Sequence, residues 1–146
     1  MATRIDSAKR IINGTYTQVW VDGQLIAECS ACQAKVSKSK STVNLCGQFM
    51  EDTKAVSAAG SGSLTMYKVD SGAIDQERDL QQGVDRRFTV ITNVADPDAL
   101  GAERIAYYNV SFDDVTLADH RAATLGTITR PFTFSRYELL DLIAAE

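Results

Sequence analysis

The sequence predicts a mainly β domain, a β-sandwich or barrel with one α-helix on its side. Three observations lead there. Several runs rich in β-branched and aromatic residues alternate with polar ones. Glycine- and aspartate-marked turns separate these runs, and one internal stretch carries the start and stop signals of a helix. At 146 residues, with 45% apolar and 23% charged residues, the chain suits a single domain spanning 1–146 with one ordinary core.

The first strand is the clearest. From residue 15 to 21, Tyr16, Gln18 and Trp20 share one face, and Thr17, Val19 and Val21 the other. Asp22-Gly23 follows, a two-residue hairpin signal. The return strand, residues 25–36, changes phase. Ala27 and Cys29 fall on one face, while Cys32, Ala34 and Val36 fall on the opposite one. A β-bulge near Ser30-Ala31 brings both sets to one buried face.

Residues 37–41 are polar and basic and read as a turn or an exposed strand end. Residues 42–46 form a short β-like run interrupted by Gly47. Residues 48–57 show no clear period and carry Phe49, Met50, Glu51, Asp52 and Lys54; the small run Ala58-Ala59-Gly60-Ser61-Gly62 reads as flexible. A loop with apolar residues between two strands is a binding element or folds back on the core.

Residues 63–69 form a strand. Asp70 or Ser71 then caps a helix over 71–82, closed by Gly83 in a left-handed conformation. Ala73, Ile74, Glu77, Leu80 and Gln81 give this helix a thin apolar stripe, suited to a sheet edge or a neighbouring subunit. Strands follow over 87–94 and 103–112, then a shorter run at 115–118. A final strand spans 126–135, where Pro131 marks an edge or bulge. Ser135 and Glu138 match a capping box before Leu139, Leu140, Leu142 and Ile143, so residues 137–146 form a short C-terminal helix.

The chemistry checklist is nearly empty, which predicts no enzyme and no cofactor. The single histidine, His120, belongs to no motif. Cys29, Cys32, Cys46 and His120 supply the ligand count of a zinc site, but the CxxC pair falls inside a strand and lacks the tight turn such sites use. Three cysteines form no disulfide framework. Gly60-Ser61-Gly62 lacks the lysine and the helix of a phosphate loop. The net charge of −4 argues against phosphate-held duplex binding. No apolar run reaches membrane-spanning length and residues 1–6 carry no apolar signal, so no membrane anchoring and cytoplasmic synthesis are expected.

One ordered set of segments is informative as a whole. It begins with Val19-Trp20-Val21-Asp22-Gly23, continues through the lysine-serine run from Ala34 to Val43-Asn44, and reaches Ala58-Ala59-Gly60-Ser61-Gly62 leading into Tyr67-Lys68-Val69. Phe88-Thr89-Val90, Gly101-Ala102-Glu103-Arg104-Ile105, Asn109-Val110-Ser111-Phe112-Asp113 and Pro131-Phe132-Thr133-Phe134 complete it. This set resembles the tail tube family of PBSX-type defective prophages and related contractile-tailed particles. The helix here is more charged than in that family, with Asp75, Glu77, Arg78 and Asp79.

The resemblance implies a tail-tube-like fold and a structural subunit. Homohexameric rings would stack into a hollow tube inside a tail sheath, with baseplate and tape measure protein as partners. DNA would pass down the lumen without sequence-specific binding. The expected location is the virion tail, assembled in the host bacterial cytoplasm. An acidic bore would repel DNA phosphates. Residues 45–62 would form an extended inter-subunit loop, with Leu45, Phe49, Met50, Glu51, Asp52 and Lys54 in contact. Residues 1–15 would form an N-terminal arm using Ile11 and Ile12. The alternatives are the tube of a secretion system or other contractile injection machine, and a small β-barrel binding module.

Overall fold

The computed structural model describes residues 5–144. Eight strands dominate it: β1 (Thr17–Val21), β2 (Gln24–Leu25), β3 (Cys29–Val43), β4 (Asp52–Tyr67), β5 (Phe88–Val94), β6 (Glu103–Phe112), β7 (Thr127–Phe134) and β8 (Arg136–Asp141). One short helix, α1 (Gly72–Gln76), lies between β4 and β5. All strand pairs are antiparallel, in the order β2-β1-β5-β6-β7-β4-β3, with β8 also on β6.

The path folds into two facing layers because β6 is shared between them. Its first half pairs with β8, from Arg104–Asp141 to Tyr108–Arg136; its last residues, Ser111 and Phe112, pair with β7. The corner between the halves is Asn109, at φ 58°, whose side-chain amide donates to Ser135 Oγ at 2.9 Å. Asparagine tolerates this left-handed conformation, and the pairing with β5 slips by one residue there, as a bulge requires. One layer is β2-β1-β5-β6-β8 and the other is β3-β4-β7.

The core fills the space between the layers. Val19, Val21, Val90, Val110, Leu64 and Phe132 are fully buried. Phe88, Phe112, Phe132, Phe134 and Tyr107 form a chain of tilted and edge-on ring contacts with centroids 5.0 to 6.2 Å apart. Gly60 and Gly62 of β4 admit two of these rings. A Cβ at either glycine would overlap the Phe134 or Phe132 ring, so this small-residue run is a pair of slots in a strand rather than a flexible link.

Several expectations hold at residue level. The Asp22-Gly23 turn has φ 50° and 80°, as a type I′ hairpin needs. The Asp22 carboxylate also accepts from the Thr89 N–H at 2.8 Å, fixing the turn to β5. The β3–β4 register shifts between Cys29 and Ala31, which places the bulge at Ser30. Pro131 lies where β7 has nearly lost β6 as a neighbour. Its carbonyl accepts from Asp113 at 2.8 Å, and its missing N–H faces that same local edge.

Other expectations are overturned. Residues 37–41 are not a turn; they lie in the exposed outer half of β3, short of its end at Val43. Residues 52–62 of the expected loop belong to β4, and only 44–51 connect the two strands. The helix over 71–82 is broken: α1 ends at Gln76, and a separate 3-10 turn, Leu80–Gln82, precedes Gly83 at φ 84°. Its thin apolar stripe offers too little burial for three turns, and the chain leaves the helix where Glu77 turns inward. Residues 115–118 lie outside any strand. The C-terminal helix is strand β8. Ser135 and Glu138 are engaged by Asn109 and by the Tyr108 hydroxyl (2.8 Å), so neither serves as a helix cap, and pairing with β6 prevails. Residues 1–4 of the expected arm and 145–146 of the C-terminal segment lie outside the described residues.

Candidate assembly surfaces

The β3–β4 hairpin is the most unusual element. Its inner half packs on the core through Cys32, Ala34, Leu64 and Met66. Beyond Gly60, where pairing with β7 ends, residues 37–43 and 52–59 are hydrogen-bonded only to each other. At about 3.3 Å per residue, this outer half extends roughly 25 Å past the last strand that supports it. An isolated two-stranded ribbon is marginal in water. Its sequence alternates lysine and serine on β3, and on β4 it is mostly small, with Val56 the large apolar residue and exposed.

The tip shows the opposite character. Phe49 and Met50 are exposed, with Phe49 fully so at 103% of its reference area, and Leu45 is about half exposed. Gly47, at φ 82°, turns the chain; Gln48 N–H donates to the Leu45 carbonyl at 3.3 Å and Gln48 Nε2 to the Met50 carbonyl at 2.9 Å. The tip is therefore shaped from within while presenting an aromatic ring and a thioether to solvent. Large exposed apolar side chains on a projecting element mark an interaction site. Glu51 adjoins the tip. Asp52 and Lys54 are the first residues of β4 rather than loop residues.

The structure divides the predicted contact residues into two groups. Leu45, Phe49, Met50, Glu51, Asp52 and Lys54 gather at the distal end of the hairpin. Ile11 and Ile12 lie on the body, in a segment tied to the β5–β6 loop. There the buried Asp96 accepts from Asn13 N–H (2.9 Å) and Asp98 N–H (2.9 Å), and Arg10 donates to the Asp98 carbonyl (3.0 Å). Ile11 remains 64% exposed, and Ile12 borders a cleft between the layers beside Cys32, Ala34 and Tyr107.

Sequence reasoning missed two further surfaces. Among the described residues β2, β3 and β8 are the terminal strands with an unpaired side, and β4 before Gly60 and most of β7 on its β6 side are open as well. An open strand edge is a template for another chain. In β8 every residue is exposed, Tyr137, Leu139 and Leu140 included. Apolar periodicity had signalled a helix there, and nothing local could reveal the edge. The other miss is Val36 and Val56, both exposed on the hairpin.

Among the described residues, Cys29 and Cys32 do not come together with Cys46 or His120. Cys29 and Cys32 line the inter-layer cleft, and burial pushes both thiols above their ordinary values, which keeps them protonated. Cys46 is at the hairpin tip and His120 in the loop between β6 and β7. Among the described residues no three His, Cys, Asp or Glu side chains come together as a metal site would need. One strongly perturbed charge among the described residues has a structural part. Arg130 is buried beneath α1, 3.6 Å over the Phe112 ring, and donates to Gln76 Oε1 at 2.9 Å. Burial brings its pKa down to about 10, opposed by the nearby Glu77 and Asp114 carboxylates. Arg130 thus ties the short helix to the sheet.

Comparison with known proteins agrees with this geometry. A family model described as phage tail tube protein matches residues 5–141. The phage-like element PBSX protein XkdM of Bacillus subtilis (strain 168) is 32% identical over 141 residues, covering 94% of this chain and 95% of that protein. Two solved chains share the fold at low identity. One comes from the sheath/tube terminator of the extracellular contractile injection system PVC (TM-score 0.75, 8% identity, 92% of this chain, 100% of that one). The other comes from the PVC sheath-tube complex (TM-score 0.74, 9% identity, 92% and 95%). The family match spans all eight strands described above, from the residues before β1 to the end of β8, and on it the chain belongs to the phage tail tube protein family.

Proposed function

We propose that this tail tube protein closes into hexameric rings that stack into a hollow conduit for DNA passage or envelope puncture. The carrying observation is the outer half of the β3–β4 hairpin, which projects with both edges and both faces uncovered. Ordering such a ribbon costs backbone entropy that its own two strands scarcely offset. A second copy lying along it supplies the missing hydrogen bonds and covers Phe49 and Met50. The open edges of β3 and β8 allow sheets of neighbouring copies to join, and a closed ring removes the edges that would otherwise aggregate.

In this reading Leu45, Phe49, Met50, Glu51, Asp52 and Lys54 contact the next subunit or ring, and Ile11 and Ile12 contact a neighbour. Sheath, baseplate and tape measure protein are the partners, the virion tail is the location, and the host cytoplasm is where assembly occurs. The role is structural rather than catalytic. The tube of a contractile injection machine is the second reading, favoured by the fold shared with the PVC sheath-tube complex.

Size-exclusion chromatography at rising concentration, followed by negative-stain microscopy, tests the proposal. Six-fold rings and hollow polymers are expected. A chain that stays monomeric at high concentration contradicts it.

A further inference from the structure

We infer that the solvent face of the β3-β4-β7 layer lines the bore of the tube, and that this lining is hydroxyl-paved and almost uncharged rather than acidic. The inference rests on the tube reading above and deepens it.

Register fixes which residues share that face. Leu64, Met66, Ile128, Arg130, Phe132 and Phe134 point inward, so their alternates point out: Ser61, Ser63 and Thr65 on β4, paired with Thr133, Pro131 and Thr129 on β7. On β3 the same face continues through Gln33, Lys35, Ser37, Ser39 and Ser41. Over residues 31–41, 57–67 and 127–133 it bears no Asp or Glu and Lys35 is its charge; at the far end of the hairpin Ser41 pairs with Lys54 and Val43 with Asp52, which adds one charge of each sign to the same face. The chain has 19 acidic residues, so their absence from the part of this face that three strands build together is not a composition effect. Two acids adjoin its border: Asp113, whose N–H donates to the Pro131 carbonyl at 2.8 Å, and Asp85, which is engaged by Ser111 (2.9 Å) and Arg87 (3.0 Å).

The solvent face of the other layer is different in kind. Trp20 lies beside Ile91 in register. The Arg136 guanidinium sits 4.6 Å over the Tyr108 ring, and the Tyr108 hydroxyl donates to Glu138. Tyr, Trp and Arg are the residues enriched at protein interfaces, whereas Ser and Lys are depleted. A face of hydroxyls gains little from burial and loses water hydrogen bonds that a partner must replace. The hydroxyl face therefore stays wet and turns to the lumen, and the aromatic face turns outward to protein. A polyanion moving past hydroxyls exchanges water contacts without a field that binds or expels it.

The test uses tubes of the full chain in a Cys46→Ser background, with Ser63→Cys or Thr129→Cys subunits doped into unmodified ones so that assembly does not depend on the variant. Gln18→Cys, on the other layer's face, is the control. Tubes are labelled with biotin-maleimide and then streptavidin. The small reagent is expected at all three positions, with streptavidin along the whole length of the Gln18→Cys tubes but absent from the walls of the other two. Streptavidin along the Ser63→Cys or Thr129→Cys tubes overturns the assignment, as does failure of the small reagent to reach both sites. Labelling rates of cationic and anionic maleimides at position 63 read the charge of the lining. A ratio near one and flat in salt is expected; a several-fold cationic preference that collapses with salt restores the acidic bore. If unmodified chains form no tubes, the tube reading fails; if they form and label otherwise, only this inference fails.

Discussion

The inner and outer halves of the β3–β4 hairpin are built from the same two strands yet obey different rules. In the inner half every second residue meets the core, and even the glycines are prescribed, because Phe132 and Phe134 occupy the space a side chain would need. In the outer half the two strands pair only with each other. Packing within the chain determines the first; in the proposed tube, another copy completes the second. Changes in the body should therefore unfold the subunit, and changes at the tip should leave it folded but alone.

The largest expected effect comes from Gly62→Val. The new side chain collides with the Phe132 ring and the Gln33 carbonyl, so denaturant unfolding should show a loss of about 2–4 kcal/mol, or no folded protein. Gly23→Ala is smaller. It forces an L side chain to φ 80° in the type I′ turn, for about 1 kcal/mol by thermal or chemical melting.

Glu77 gives a weaker, pH-dependent effect. Burial raises its carboxyl above the ordinary 4.5, with Arg130 pulling the other way. A carboxyl whose folded pKa exceeds its unfolded one favours the fold most below the unfolded value, and that contribution is lost as pH rises through the folded one. Glu77→Gln should therefore melt higher than the parent at neutral pH, with the gap closing as pH falls below about 4.5. A gap that grows in acid refutes the burial account.

The smallest effect on the monomer should come from the tip. Phe49→Ser with Met50→Ser should shift subunit stability by less than about 0.5 kcal/mol, since neither side chain is buried. The same pair should abolish or greatly weaken polymer formation in sedimentation, and equal effects on both readouts would erase the distinction between the halves.

How much of this was legible in the sequence follows the same division. β1, its Asp22-Gly23 turn, the bulge at Ser30 and the strands over 88–94 and 103–112 were readable because one face of each is apolar and alternation records it. The outer hairpin was not, because a strand polar on both faces leaves no period. Lys38, Ser39, Lys40 and Ser41 look like a turn when only hydrophobicity is read. β8 was misread for the opposite reason. Its leucines sit on an exposed open edge rather than in a core, so their spacing does not report a helix. The tip residues Phe49 and Met50 were legible as exposed apolar candidates, but their placement at the end of a projecting arm is a product of register alone. The lining face could not be foreseen, since no residue in it is unusual until strand pairing sets three strands side by side.

The most direct test is amide hydrogen exchange on residues 37–43 and 52–59, compared between dilute subunit and assembled polymer. These amides should exchange almost as freely as an open ribbon in the subunit and become strongly protected in the polymer, while core amides of β5 and β6 stay protected in both. Equal protection of the outer hairpin in the two states would contradict the claim that it waits for another copy of the chain.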